Sequence, residues 1–183
     1  MDEAGLIARL QAKDEKAFKE LVETYQGMVY RTCFGFLHST EDAEDMAQEV
    51  FIQVYNSIEK FRGASKLSTW LYRIAVNKSL NKLRGSKVRF LTNIDTIFEK
   101  PQNKVEENPF GTLENKEKAD MINRAIDQLP VNQRTAFILS KYEDVPNKQI
   151  AKIMELSLSS IEALHHRAKK NLQKLLVGYY RNQ

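Results

Sequence analysis

Apolar residues recur at a period near 3.6 through both ends of the chain and lose that period in the middle. Leu6, Ile7 and Leu10 predict a short amphipathic helix over 3–12. A longer stripe of Phe18, Leu21, Val22, Tyr25, Val29, Cys33, Phe36 and Leu37 predicts a core helix with Asp14 as its N-cap. The inner face of a third helix, started by Ser39 or Thr40 and running to Phe61, is Ala43, Met46, Ala47, Val50, Phe51, Val54, Tyr55 and Ile58. A fourth spans 67–84 through Leu67, Trp70, Leu71, Ile74, Ala75 and Leu83, with Gly85 as a stop. Its other face holds Thr69, Arg73, Asn77, Asn81 and Arg84.

After an aperiodic stretch, Leu113, Met121, Ile122, Ala125, Ile126 and Leu129 predict a helix ended by Pro130, and Ala136, Phe137, Leu139 and Tyr142 predict another. Asn147 is placed as the cap of NKQIAKIM, with Ile150, Ala151 and Met154 inward. Glu155, Leu156 and Ser157 form a turn, and Ser157 caps a last helix with Ile161, Leu164, Ala168, Leu172, Leu175 and Leu176 toward the core. Two helices joined by so short a turn, the second cationic, have the form of a helix-turn-helix. With β-branched alternation rare, the fold class is all-α: two small helical domains joined by a flexible linker.

Composition adds an electrostatic layout. The net charge is only +4, but it is unevenly spread. Residues 60–89 hold nine Lys or Arg, and no carboxylate appears before Asp95. Cations with base-reading amides among them and acids excluded favour nucleic acid over a merely solvated face. On the last helix, Ser159, Ser160, Glu162, Ala163 and His166 are offered to a major groove, and Arg167, Lys169 and Lys170 to phosphates. On the third helix Asp42, Asp45, Glu49 and Gln53 form a polar stripe. Its first turn complements the helix dipole, but the stripe continues past that turn, which suits docking of a basic partner.

Other chemistry is excluded more than suggested. Cys33 falls on the apolar stripe, which predicts a buried thiol rather than a disulfide or redox sensor. His38 stands at a helix end, and the adjacent His165 and His166 point about 100° apart, so neither reads as a metal site. No acid–base pair or glycine cradle stands out; a binding protein with no catalytic residue, cofactor or metal is expected. No apolar run nears roughly 18 residues and acids occupy the N-terminus, so neither export nor membrane insertion is expected, and the cytoplasm is the expected location.

Four segments, DAEDMAQEVF at 42–51, STWLYRIAVNKSLNKLR at 68–84, LPVNQRTAFIL at 129–139 and NKQIAKIMELSLSSIEALHHRAKKNL at 147–172, together resemble the extracytoplasmic-function class of bacterial RNA polymerase sigma factors, the short sigma-70 relatives. The resemblance implies a region 2 domain over 1–90, an acidic linker over 91–111 and a region 4 domain over 112–183. It implies polymerase docking through Asp42, Asp45, Gln48 and Glu49. It assigns the minus-ten element, including a flipped non-template base held by the loop 62–67, to Arg62, Lys66, Thr69, Trp70, Arg73, Asn77, Lys78, Asn81 and Arg84. The minus-thirty-five element falls to Ser159, Ser160, Glu162, Ala163, His166, Arg167 and Lys170. Implied partners are core RNA polymerase, promoter DNA as duplex and as melted non-template strand, and an anti-sigma protein; the linker would follow the polymerase's RNA path, or serve as a plain solvated tether, and the sequence does not choose between them. Two departures stand out. Asn81 replaces a usual acid, and Ala163 and Leu164 replace a usual Ser-Arg pair. Competing readings of the residues are a stand-alone helix-turn-helix regulator built on 113–176, and a helical adaptor whose cationic face binds an acidic surface.

Overall fold

The computed structural model describes residues 2–92 and 113–181, with side chains over 2–85 and 117–177. The described residues are helical with no strand, and the four N-terminal helices and the four C-terminal helices make two compact units. None of the helices among them is long and apolar enough to cross a membrane. The expected linker lies outside the described residues except for its first two, which belong to a helix.

In the first unit α1 (Glu3–Gln11) turns into α2 (Glu15–Leu37). Asp14 caps α2, its Oδ1 accepting from the amides of Lys16 at 2.8 Å and Ala17 at 3.3 Å. The Arg9 guanidinium, 3.0 Å away, holds its carboxyl below the usual carboxylate range. α2 closes where His38 takes a left-handed φ of 55°, so His38 does act at a helix end. α3 (Thr40–Ser57) runs into a 3-10 turn at Ile58–Lys60, so the third helix stops four residues short of the expected Phe61. Thr40 is already helical, which leaves the cap position to Ser39.

The fourth helix, α4 (Leu67–Thr92), corrects two expectations. Gly85 does not stop it, because it lies within the helix without the positive φ that a stop requires, at a cost of roughly 1 kcal/mol relative to alanine. The buried side is also wider than the apolar pattern. Leu67, Leu71 and Ala75 form one buried stripe, and Thr69, Tyr72, Val76 and Ser79 form a second beside it. Thr69 is only 1% exposed and so is not on the outer face assigned to it. Its hydroxyl is small enough to be enclosed, and the spacing of three and four that joins it to Tyr72, Val76 and Ser79 places it there. The main packing partner of α4 is α2, where Cys33 is fully buried and burial pushes its thiol up to about 11.

The second unit is α5 (Leu113–Asp127), α6 (Val131–Lys141), α7 (Asn147–Met154) and α8 (Leu158–Arg181). Ala125, Ile126 and Leu129 are buried as expected, but Ile122 is 45% exposed and Ile138 is core instead of the half-buried Phe137. Three polar residues of α6, Gln133, Arg134 and Thr135, are also buried. Gln133 accepts from Asn171 of α8 at 2.8 Å, and Arg134 pairs with Asp127 at 2.7 Å. Asn147 is the first residue of α7 and not its cap; Pro146 caps with its carbonyl, which the amides of Gln149 and Ile150 reach at 2.8 and 3.0 Å. Ile150 and Ile153 carry the inward face of α7, whereas Ala151 and Met154 are half-buried. Glu155 takes a left-handed φ of 57° and the Leu156 amide returns to Ala151 O, a closing pattern that ends α7 and leads into α8.

Candidate protein- and nucleic-acid-binding surfaces

The α3 stripe faces outward. Asp45, Gln48 and Glu49 are exposed and Asp42 is half-buried. Asp42 pairs with Lys82 of α4, and Glu49 lies 3.0 Å from Lys78 of α4. The anionic and cationic surfaces therefore share an edge, and Lys78 and Lys82 are held there. Exposed pairs of this kind contribute about 0–1 kcal/mol, so an incoming partner can exchange them at low cost. The same face continues in apolar form, with Ile52 60% and Tyr55 40% exposed. Ile52 was in neither expected stripe, and Tyr55, expected on the inner face, lies at the edge instead, its ring centroid 5.2 Å from that of Phe18 and its ring under the Lys13 ammonium.

With two stripes of α4 buried, the remaining arc carries the polar chemistry. At about 100° per residue, Trp70, Arg73, Asn77, Asn81 and Arg84 fall within about 80° of one another. Asn77, Asn81 and Arg84 are exposed, and Trp70 and Arg73 are half-buried. Just before this helix, Phe61 is buried with its ring centroid 5.0 Å from that of Trp70, tilted 38°. The intervening loop exposes Arg62, Gly63, Ala64 and Lys66. Gly63 has φ 69° with nothing within 4 Å of where a Cβ would stand, so the need for glycine here is conformational and not steric. Both ends of the loop are tied to α1: Gln11 Nε2 donates to Phe61 O at 2.9 Å, and Glu3 Oε1 accepts from the Leu67 amide at 2.9 Å. Nothing in the apolar pattern marked Glu3 or Gln11, since each works through a partner 64 or 50 residues away.

In the second unit Ser157 caps α8, its Oγ accepting from the Ser160 amide at 3.1 Å and lying 2.7 Å from Ser160 Oγ. Opposite the buried Ile161, Leu164, Ala168 and Leu172, α8 exposes Ser159, Glu162, His166, Arg167 and Lys170, with Ser160 and Ala163 half-buried. All seven expected residues thus share one side. Arg167 Nε donates to Ala163 O at 3.2 Å, which lays its guanidinium along its own helix. Leu164, where the family's arginine was expected, is 8% exposed and belongs to the core. His165 is half-buried; burial, and then the charge of Lys141, lower its pKa.

Comparison with known proteins matches each of the two units to one family. Residues 21–89 match the family described as Sigma-70 region 2, and residues 119–172 match Sigma-70, region 4. The RNA polymerase sigma-H factor of Pseudomonas aeruginosa is 33% identical over 177 residues, covering 93% of this chain and 92% of its own. The ECF RNA polymerase sigma-E factor of Escherichia coli is 33% identical over 171 residues, covering 90% and 89%. Among solved structures, the sigma factor RpoE in complex with the anti-sigma factor NepR from Bartonella quintana has the same fold, with a TM-score of 0.67 at 21% identity over 88% of this chain and 97% of that one. The chain belongs to the sigma-70 family, in its extracytoplasmic-function class, and is a promoter-directing RNA polymerase sigma factor.

Proposed function

We propose a division of this activity among the three surfaces. Asp42, Asp45, Gln48 and Glu49 on α3 dock on core RNA polymerase. The outward arc of α4 and the loop 62–66 capture the non-template strand of the minus-ten element as it opens. The exposed side of α8 reads the minus-thirty-five element in a duplex major groove. The domain limits follow the sequence expectation except that α4 carries the first domain two residues further: 1–92 for docking and opening, 93–111 as linker, 112–183 for upstream reading. The observation that carries this reading is the outward arc of α4, where an aromatic ring, two amides and two arginines adjoin a cationic glycine loop.

Holding a flipped base costs a few kcal/mol of unstacking, and stacking on protein groups returns about 1–3 kcal/mol per base. The loop cations add phosphate contacts, and the polymerase supplies the remaining free energy. The chain itself makes or breaks no covalent bond, works in the cytoplasm beside its polymerase, and binds an anti-sigma protein, as the similar sigma factor does in its complex.

Asp45→Lys should abolish co-elution with core polymerase in gel filtration while circular dichroism stays unchanged. Arg84→Ala should lower run-off transcription and reduce its salt slope by about 1, as loss of one phosphate contact requires. Retained co-elution, or a salt slope that does not move, overturns the corresponding assignment. A stand-alone regulator would bind promoter duplex without polymerase, and a helical adaptor would bind neither.

A further inference from the structure

We infer that α1 is a brace for the strand-capturing loop and that Glu3 and Gln11 are positioning residues for promoter opening. The inference rests on the reading of the loop 62–66 given above. It goes beyond it by assigning a role to a helix that lies wholly before residue 21, where the match to sigma region 2 begins.

The geometry is specific at both ends of the loop. Where it starts, the Phe61 amide closes the 3-10 turn on Ile58 O at 3.0 Å. The carboxamide of Gln11 then spans the carbonyls of Phe61 at 2.9 Å and Ile58 at 3.4 Å. Where it ends, Leu67 is the first residue of α4 and fully buried. The amides of a helix's first turn have no partner within the helix, and a buried one needs another acceptor. Glu3 Oε1 supplies it at 2.9 Å. Leu6 and Leu10 are both about nine-tenths or more buried, so the helix that carries Glu3 and Gln11 is itself anchored to the core. Between the two tethers the loop backbone turns at Gly63 with φ 69°.

A loop that must hold an extruded base performs best when its ends are already fixed, because ordering it during capture would subtract from the free energy of binding. Glu3 and Gln11 fix those ends without touching DNA. Their removal should therefore impair the step in which duplex opens, while docking through α3 continues.

The test uses the full chain with core polymerase on a promoter mapped from the transcript ends that the wild-type holoenzyme produces on genomic DNA. Each variant is assayed on the closed duplex and on the same promoter with its minus-ten segment already unpaired. Glu3→Ala should reduce duplex transcription by about tenfold (~1.4 kcal/mol) while transcription from the unpaired template stays within about twofold. Glu3→Gln keeps an acceptor oxygen at the same reach and should restore the duplex signal, which a nonspecific fold defect would not allow. Gln11→Glu, which faces two carbonyls with a carboxylate, should be worse than Gln11→Ala. Equal loss on both templates, an unchanged ratio, or failure of Glu3→Gln to restore it overturns the inference. Arg62→Ala and Lys66→Ala serve as the internal comparison. If they lower the ratio and the α1 variants do not, the brace alone fails; if they too leave it unchanged, the loop is not the capturing element and the reading beneath the brace fails with it. Should Glu3→Ala not fold, the ordering of the two Gln11 variants decides.

Discussion

The two helices assigned to DNA begin by opposite means. α8 is capped from within its own turn, Ser157 to the amide of Ser160, whereas α4 is capped across 64 residues by Glu3. Their flanks differ in the same way. α8 buries one clean stripe and leaves its other side to polar residues, while α4 buries two adjacent stripes and shares ion pairs with α3 along its edge. A locally specified helix can stand as a rigid reader of duplex. A helix specified by its surroundings joins α3, the loop and α1 to one another, which suits the strand-capturing role proposed for it.

The contrast is sharpest in the core. Leu71→Ala should lower the stability of the first unit by about 2–5 kcal/mol, since a fully buried leucine leaves a cavity between α4 and its neighbours. Urea unfolding followed by Trp70, the single tryptophan, reads this directly. The α2–α4 seam should also make stability depend on pH. Burial raises the Cys33 thiol to about 11, above its ordinary 9.0, so the unfolded chain loses that proton first. Stability is then full below about pH 9 and falls as pH rises through 11, by roughly 3 kcal/mol at most. The difference between wild type and Cys33→Ala in urea midpoint at pH 8 and 10.5 isolates this effect from the tyrosines.

Smaller effects test the local side. Ser157→Ala should cost about 1 kcal/mol in the second unit and loosen the exchange protection of the first α8 amides, leaving the Trp70 transition in place. Smallest is the shared edge: a double-mutant cycle on Lys78 and Glu49 should return about 0.2–1 kcal/mol in free protein. A larger coupling would mean that the pair locks the two surfaces together instead of yielding to a partner.

Much of the site was readable beforehand because helical spacing alone groups residues. Ser157 as a cap, the seven residues on α8, and Arg73, Asn77, Asn81 and Arg84 on α4 all came from a period of 3.6 and nearby capping chemistry. Thr69 and Gly85 failed for stated reasons: a small hydroxyl can be enclosed when its helix neighbours are, and a glycine stops a helix only when its φ turns positive. The resemblance assigned Lys78 to the minus-ten element and Lys82 was legible only as one more cation, but neither reading says which carboxylates stand beside them.

What the order of residues determined was periodicity and its immediate neighbours: which segments are helices, where a side chain caps its own turn, and that residues 60–94 hold no carboxylate. Those depend on contacts within a few residues, which the sequence writes out in order. The tertiary structure decided the rest: that Glu3 and Gln11 hold the loop, that Asp42 and Glu49 reach across to α4, and that α4 is buried on two sides. Each of these joins residues dozens of positions apart, and a hydrogen bond or ion pair between them exists only once packing has brought their helices within reach.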